Sequence, residues 1–318
     1  MTKTAAKRSA IAAENSQRRL GRATDGHAME AQLRALNLQT LGAELERAPG
    51  GVALWLKLRR PHAFNAVSME MLAELHAVVD LLRPPRTMLE EPPADWPRVV
   101  VLCAAGRAFS GGVDAKAADR GVGGAAWDYK DMRSQQLLAA LVSAFRAIPQ
   151  PVIAAVQGPA AGAGLALALA ADVRVAARAA SFSAAFVRLG LTGADMGVSY
   201  HLPRVAGLGI ASEAMLTGRA ISAERAFQVG LVNELAESGE DLAAAARRFA
   251  AEMLALSPLG LSLGKEALNA AADGGSLRAA LTAENSHQML LINAPASAAI
   301  AQHWLDSMMG KKAGRSKM

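Results

Sequence analysis

Two short glycine-rich stretches carry the chemistry this sequence can offer. Gly158-Pro-Ala-Ala-Gly-Ala-Gly164 follows an apolar run, Pro151-Val-Ile-Ala-Ala-Val156, and opens a long stretch of alanine and leucine. Arg107-Ala-Phe-Ser-Gly-Gly-Val-Asp-Ala-Lys116 follows a second apolar run at 98–103 and repeats the layout. Each apolar run reads as a buried strand, and the alanine and leucine stretch reads as a helix. Glycine lets a ligand approach the main chain, and the first turn of a helix presents N–H groups that have no intrahelical acceptor. Two such turns can aim two N–H donors at one oxygen, the arrangement that stabilises an oxygen gaining negative charge during a reaction. Gly162-Ala-Gly164 also invites a dinucleotide-binding reading. That reading fails in detail: the third glycine of the fingerprint falls on Leu167, and no acidic residue closes a second strand at the required distance.

The rest of the composition narrows the class of protein. A chain of 318 residues is long enough for one substantial core. Hydrophobic residues make up 52%, yet no window approaches about 18 consecutive strongly apolar residues, so no membrane span is expected. The single cysteine, Cys103, excludes an internal disulfide and any cysteine-based zinc site, and its place in an apolar run predicts a small buried hydrophobe. The net charge of +6 suits an anionic partner. Nucleic acid is not expected, because no dense basic helix carries interleaved aromatics and aromatic content is only 4%.

The first 22 residues carry Lys3, Lys7, Arg8, Arg18, Arg19 and Arg22 against the single acid Glu14, a balance shared by transit peptides and solvated accessory helices. Residues 27–47 place Met29, Leu33, Leu36 and Leu41 at roughly helical spacing and end at Pro49-Gly-Gly51. A domain boundary is expected there, separating an N-terminal helical extension (1–49) from a core (50–255), a C-terminal helical region (256–309) and a basic tail (310–318). The alternation Val52, Leu54, Leu56, Leu58 predicts a half-buried strand, and Ser68 predicts the N-cap of a helix running to about Leu82. The segment 83–97 holds five prolines and reads as a surface loop, and 114–131 reads as a flap hinged at Gly121-Val-Gly-Gly124. A helix over 132–148 leads back to the strand at Pro151, and beyond Gly207 the chain reads as almost wholly helical. Strands and helices in alternation predict a layered α/β core with crossover connections.

In this order and spacing the pieces resemble the crotonase superfamily, the enoyl-CoA hydratases and isomerases, over residues 52–305. The matching stretches are Arg60-Pro-His-Ala-Phe-Asn-Ala66, Ala108-Phe-Ser-Gly-Gly-Val-Asp114, Pro151-Val-Ile-Ala-Ala-Val-Gln-Gly158 with its following turn, and Asp172-Val-Arg-Val-Ala176. Further on come Gly197-Val-Ser-Tyr-His-Leu-Pro-Arg204 and Leu216-Thr-Gly-Arg-Ala-Ile-Ser-Ala-Glu-Arg-Ala226. The resemblance implies an α/β fold, a crotonase-like spiral of ββα units, with a helical C-terminal region that trades contacts with neighbouring subunits in homotrimers or hexamers. It implies an acyl-CoA thioester across the two turns, with the N–H groups of Val113 and Ala163 holding its carbonyl oxygen. The adenine and phosphate end is then expected by Arg60, His62 and Ala63, with Lys116 nearby. No separate cofactor is implied, since coenzyme A is part of the substrate.

A hydratase of this family uses two glutamates to hold and split a water, and their positions are occupied here by Ala166 and Phe186. Neither side chain transfers a proton, whereas adding water needs an acid and a base within reach of the reacting carbons. Asp195, in Gly190-Leu-Thr-Gly-Ala-Asp-Met-Gly197, matches a position where dienoyl-CoA isomerases and dihydroxynaphthoyl-CoA synthases carry an aspartate. It reads either as the acid/base of a proton shift or as the cap of the helix that follows. The resemblance therefore implies an acyl-CoA enzyme of fatty-acid or related breakdown, most simply of isomerase type, with a non-catalytic acyl-CoA binder as the rival. The last residues, Ser316-Lys317-Met318, differ only by methionine for leucine from a peroxisomal address, so peroxisomal delivery is expected, with a mitochondrial or cytoplasmic location as the alternative.

Overall fold

The computed structural model describes residues 28–83, 95–114 and 132–294. The basic N-terminus, most of the proline-rich loop, the segment 115–131 with Lys116 and the C-terminal tail lie outside the described residues.

Period-two alternation builds the central sheet. In β3 (Pro97–Ala104), Val100 and Leu102 enter one core cluster while Val99 and Val101 enter a second on the opposite face. In β4 (Val152–Val156), Val152, Ala154 and Val156 face the first cluster and Ile153 and Ala155 the second. Strands apolar on both faces must be covered on both, and here helices do so. The six-stranded sheet has the order β1-β2-β3-β4-β6-β9, where β1 is Leu41–Ala48, β2 Gly51–Leu58, β6 Val173–Ala177 and β9 Glu234–Ala236. Only the β1–β2 pair is antiparallel. On the larger face lie α2 (Met69–Leu82), α3 (Met132–Ala147), α4 (Ala163–Ala170) and α5 (Val198–Ala206), each contributing buried residues to that cluster. After α6 (Leu208–Thr217) and α7 (Ala223–Gln228), the other face is covered by α8 (Gly239–Leu254) through Leu242, Ala245, Ala246, Ala250 and Leu254. Full burial of each such leucine contributes about 2 kcal/mol.

A second, small sheet runs beside the ends of the first. It joins β5 (Pro159–Ala161), β7 (Ser181–Ser183) and β8 (Ile221–Ser222), and the isolated bridges Ser110–Ala160 and Val67–Val113 continue its pattern into the two preceding turns. Each coil of the chain thus places one strand in the large sheet and one short extended piece at the small one before its helix. This is the expected spiral of ββα units, followed by the C-terminal helices α9 (Pro258–Ala272) and α10 (Leu277–Ile292). Ser68 caps α2 as anticipated, its side chain accepting from the Met71 N–H at 3.2 Å.

Four sequence-based expectations are corrected. The N-terminal extension is helical only in α1 (Ala28–Ala35), and residues 41–48 form β1, paired along its whole length with β2. Pro49-Gly50 is the turn of that hairpin rather than a helix stop, so a domain boundary at residue 49 would divide a β-hairpin. Leu41, Ala43 and Leu45 follow a strand period of two that the more widely spaced leucines masked. Beyond Gly207, β8 and β9 interrupt the helices, and β9 closes the edge of the large sheet beside β6. Cys103 is half-buried rather than buried, and desolvation pushes its thiol up to about 11, so it stays protonated at neutral pH. Of the described helices none is long and apolar enough to cross a membrane.

Candidate active site

Three turns at the ends of β2, β3 and β4 are stitched into one unit. Asn65, fully buried, accepts from the Arg60 N–H through its Oδ1 at 2.8 Å, while its Nδ2 donates to the carbonyls of Ala105 (2.7 Å) and Ala108 (2.8 Å). The Ser110 hydroxyl donates back to the Asn65 carbonyl at 2.8 Å. The Val67 N–H donates to Gly112 O and the Asp114 N–H to Val67 O, at 2.7 and 3.0 Å. The third turn joins through the Ala161 N–H to Ser110 O bond, at 2.9 Å. Two glycines are required by this arrangement. Gly162 has φ +53°, a backbone that L side chains rarely adopt, and a methyl group on Gly164 would collide with the Ser110 carbonyl oxygen.

The expected donors sit within this unit. The Val67–Val113 bridge uses the carbonyl of Gly112 and the N–H of Asp114, so the Val113 N–H points away from it. Ala163 is the first residue of α4, where N–H groups lack intrahelical acceptors. Neither N–H has an acceptor among the described residues. The turns carrying them touch: a methyl group on Gly112 would lie 3.7 Å from the Ala163 nitrogen and 3.1 Å from Ala161 O. At the far end of α4, the nearly buried Arg174 guanidinium donates to Ala171 O at 2.7 Å and to Leu231 O at 2.6 Å. Burial lowers its pKa to about 10, with Asp172 pulling it back up, so it stays charged at neutral pH and complements the negative end of the helix.

Ala163 of this pair has buried apolar neighbours, whereas Val113 is half-buried. Ala166 is fully buried, one turn into α4, and Phe186 is buried in a 3-10 turn, Ala185–Leu189. The Phe186 ring stands over the second turn, since a methyl group on Gly162 would lie 3.1 Å from it. The two glutamate positions of a hydratase are therefore filled by apolar side chains packed into the core.

Asp195 is half-buried in the loop before α5. Its Oδ1 accepts from the Met196 N–H at 2.7 Å and from the Gln135 Nε2 of α3. It does not cap α5: the N-cap is Gly197, with no side-chain cap, and only the main-chain carbonyl of Asp195 reaches the helix, at Val198 N. Oδ2 carries no hydrogen bond among the described residues. Helix α4 packs against both α3 and α5, so the carboxylate lies between the two helices that flank the donor helix.

The residues expected at the coenzyme end divide. Arg60 is committed inside the protein: its guanidinium donates to Ala66 O at 2.6 Å and pairs with the Asp114 carboxylate at 2.8 Å, which clamps the first turn to the second. His62 is exposed and Ala63 half-buried in the short 3-10 turn, and Lys116 lies outside the described residues. Sequence reasoning passed over Arg107, whose exposed guanidinium lies 4.5 Å above the ring of Phe64, two residues along the chain from His62. It also passed over Asn65 and Gln135, which bear on the site only through partners distant in the chain. Among the described residues no group of three or more His, Cys, Asp or Glu could hold a metal ion.

A spiral α/β core with two touching turns, each offering a main-chain donor, defines a crotonase-like protein. The chain belongs to the enoyl-CoA hydratase/isomerase family, whose model matches residues 47–301. It is similar to a probable enoyl-CoA hydratase of Mycobacterium tuberculosis, 38% identical over 267 residues, which are 83% of this chain and 90% of that one. It is also similar to the 1,2-epoxyphenylacetyl-CoA isomerase of Escherichia coli, 36% identical over 74% of this chain and 85% of the relative. Among solved structures, a monofunctional enoyl-CoA isomerase of Mycobacterium smegmatis superposes with a TM-score of 0.60 at 34% identity, covering 75% of this chain and 97% of that one. At family level the chain is an acyl-CoA enzyme of the hydratase/isomerase type.

Proposed function

We propose that the protein catalyses an enolate-stabilised proton shift alpha to an acyl-CoA thioester, as an isomerase rather than a hydratase. The observation that carries this is two acceptor-free main-chain donors on touching turns, with Asp195 Oδ2 unpartnered among the described residues on the loop before α5, where both hydratase glutamate positions are apolar and buried. Asp195 Oδ2 takes the proton from the α carbon, and the electron pair moves through the carbonyl onto the thioester oxygen. That oxygen accepts the N–H groups of Val113 and Ala163. Return of the proton at the γ carbon moves the double bond and restores the carboxylate. The name of the Mycobacterium smegmatis structure, a monofunctional enoyl-CoA isomerase, supports this reading. His62, Ala63 and Lys116 serve the coenzyme end, joined by Arg107. Arg60 contributes by holding the turns together.

A turnover screen over 2-enoyl-, 3-enoyl- and dienoyl-CoA thioesters tests the reaction class, with double-bond migration expected and hydration not. Asp195→Asn should lower the rate on the order of a hundredfold or more while acyl-CoA binding stays intact. Hydration of a 2-enoyl-CoA at the parent's isomerisation rate would overturn the isomerase reading. Binding with no turnover of any kind would leave an acyl-CoA binder.

For the assembly we propose a homotrimer or hexamer, supported by the exposed Leu277, Leu281, Met289, Leu290 and Ile292 of α10. Light scattering that returned a monomer mass would refute it. Peroxisomal delivery through Ser316-Lys317-Met318 is likewise a proposal. Puncta seen with an N-terminal but not a C-terminal fluorescent fusion would support it, and mitochondrial staining dependent on residues 1–22 would replace it.

A further inference from the structure

Gln135 stands in the first turn of α3, 60 positions before Asp195, outside every stretch that carries the family resemblance. Its side-chain amide donates to Asp195 Oδ1, the same oxygen that receives the Met196 N–H at 2.7 Å. Two donors on one oxygen set the rotation of the carboxylate about its last bond and leave Oδ2 as the oxygen without a partner among the described residues. The platform behind the amide is firm: Leu138, Leu141, Val142 and Phe145 of α3 are buried in the main core. The loop it reaches is close as well, since a methyl group on Gly197 would lie 3.6 Å from Val142. An amide suits the task, because it is neutral and takes no proton itself. A lysine or arginine in its place would cancel the charge of a base.

We propose that Gln135 is a positioning residue that aims Asp195 Oδ2 at the reacting carbon. This rests on the proton-shift reading. Reactive geometry is steep in distance, so releasing the carboxylate should cost about tenfold to a hundredfold in rate without changing how tightly the thioester binds.

The test uses the full chain and a defined probe, exchange of the α proton of butyryl-CoA for deuterium in heavy water, with affinity for butyryl-CoA measured by calorimetry. Gln135→Met keeps side-chain length and removes the donor. The expected result is about a tenfold to a hundredfold slower exchange with unchanged affinity and thermal midpoint, and no further loss when Gln135→Met is added to Asp195→Asn. Additive losses in that double variant, or parent-like exchange by Gln135→Met, would overturn the positioning role and leave the proton-shift reading standing. A parent that exchanges no proton and moves no double bond overturns both. The pair itself is read separately, by the side-chain amide signals of protein made with isotope-labelled glutamine: one signal should move in Asp195→Ala, and no movement would remove the hydrogen bond on which the inference stands.

Discussion

At the scale of single residues, the proposed reaction rests on two main-chain donors, of which Val113 N–H is the more readily removed. The Val67–Val113 bridge depends on Gly112 O and Asp114 N–H, so proline at position 113 deletes one donor and leaves the bridge intact. Val113→Pro should therefore remain folded by circular dichroism and lose about a hundredfold to a thousandfold in turnover, the cost of one oxyanion donor. Parent-like activity in the folded variant would refute the site. His201, half-buried on α5, shows a different effect of burial. Desolvation first, then the charges of Arg146, Arg174 and Arg204, lower its pKa to about 4 from an ordinary 6.5, with Asp273 opposing. Above pH 6.5 the ring is neutral folded and unfolded; between 6.5 and 4 the unfolded chain binds a proton that the fold excludes, so stability falls as the pH drops through that window. Thermal midpoints across the window should fall less steeply in His201→Gln than in the parent. Equal slopes would show that the ring is not responsible.

At the scale of elements, α4 is short, only Ala163–Ala170, and every one of its residues is buried. Its orientation sets where the Ala163 N–H points, and its last carbonyls need a donor. Arg174 supplies one from β6, reaching Ala171 O and Leu231 O with a buried cation. Arg174→Met keeps the apolar stem and leaves those carbonyls unpaired, which should cost roughly 1–3 kcal/mol for each orphaned group. The check is chemical denaturation together with turnover: a loss of stability alone makes Arg174 a support of the fold, and a loss of turnover at saturating substrate shows that the helix end governs the donor at its start.

Across the whole molecule, α9 is tied to the end of α3 and the loops beside the sheet by a buried ion cluster as well as by the apolar contact of Leu263. Lys265 of α9 is nearly buried, its Nζ donating to Gln150 O at 2.8 Å and Phe145 O at 3.1 Å and pairing with Asp172 at 3.0 Å. Asp172 is shared with Arg146, which also reaches Asn269 of the same helix. Desolvation lowers the Lys265 pKa, and Asp172 opposes that shift. Lys265→Met removes one partner of a largely buried group, for which a loss of roughly 3 kcal/mol is expected. Differential scanning calorimetry should show a lowered midpoint, and limited proteolysis should show α9 and α10 released first. An unchanged midpoint would mean that α9 is held by its apolar contacts alone.

Much of this protein was legible in local spacing. Glycines ahead of a helix, period-two apolar runs and a serine three residues before an N–H that needs an acceptor are short-range signals, and they marked both turns, the strands at 98–103 and 151–156, and the α2 cap. Tertiary structure decided what depended on partners far along the chain. Residues 41–48 are a strand because β2 pairs with them, and their leucines alone suit a helix nearly as well. Arg60 faces inward because Asp114, 54 positions later, meets its guanidinium. Asn65 and Gln135 are ordinary polar residues until folding brings them to buried carbonyls and to Asp195. Hydrogen bonds of this kind are set by sheet register and helix packing, which a sequence expresses only once the whole chain has folded.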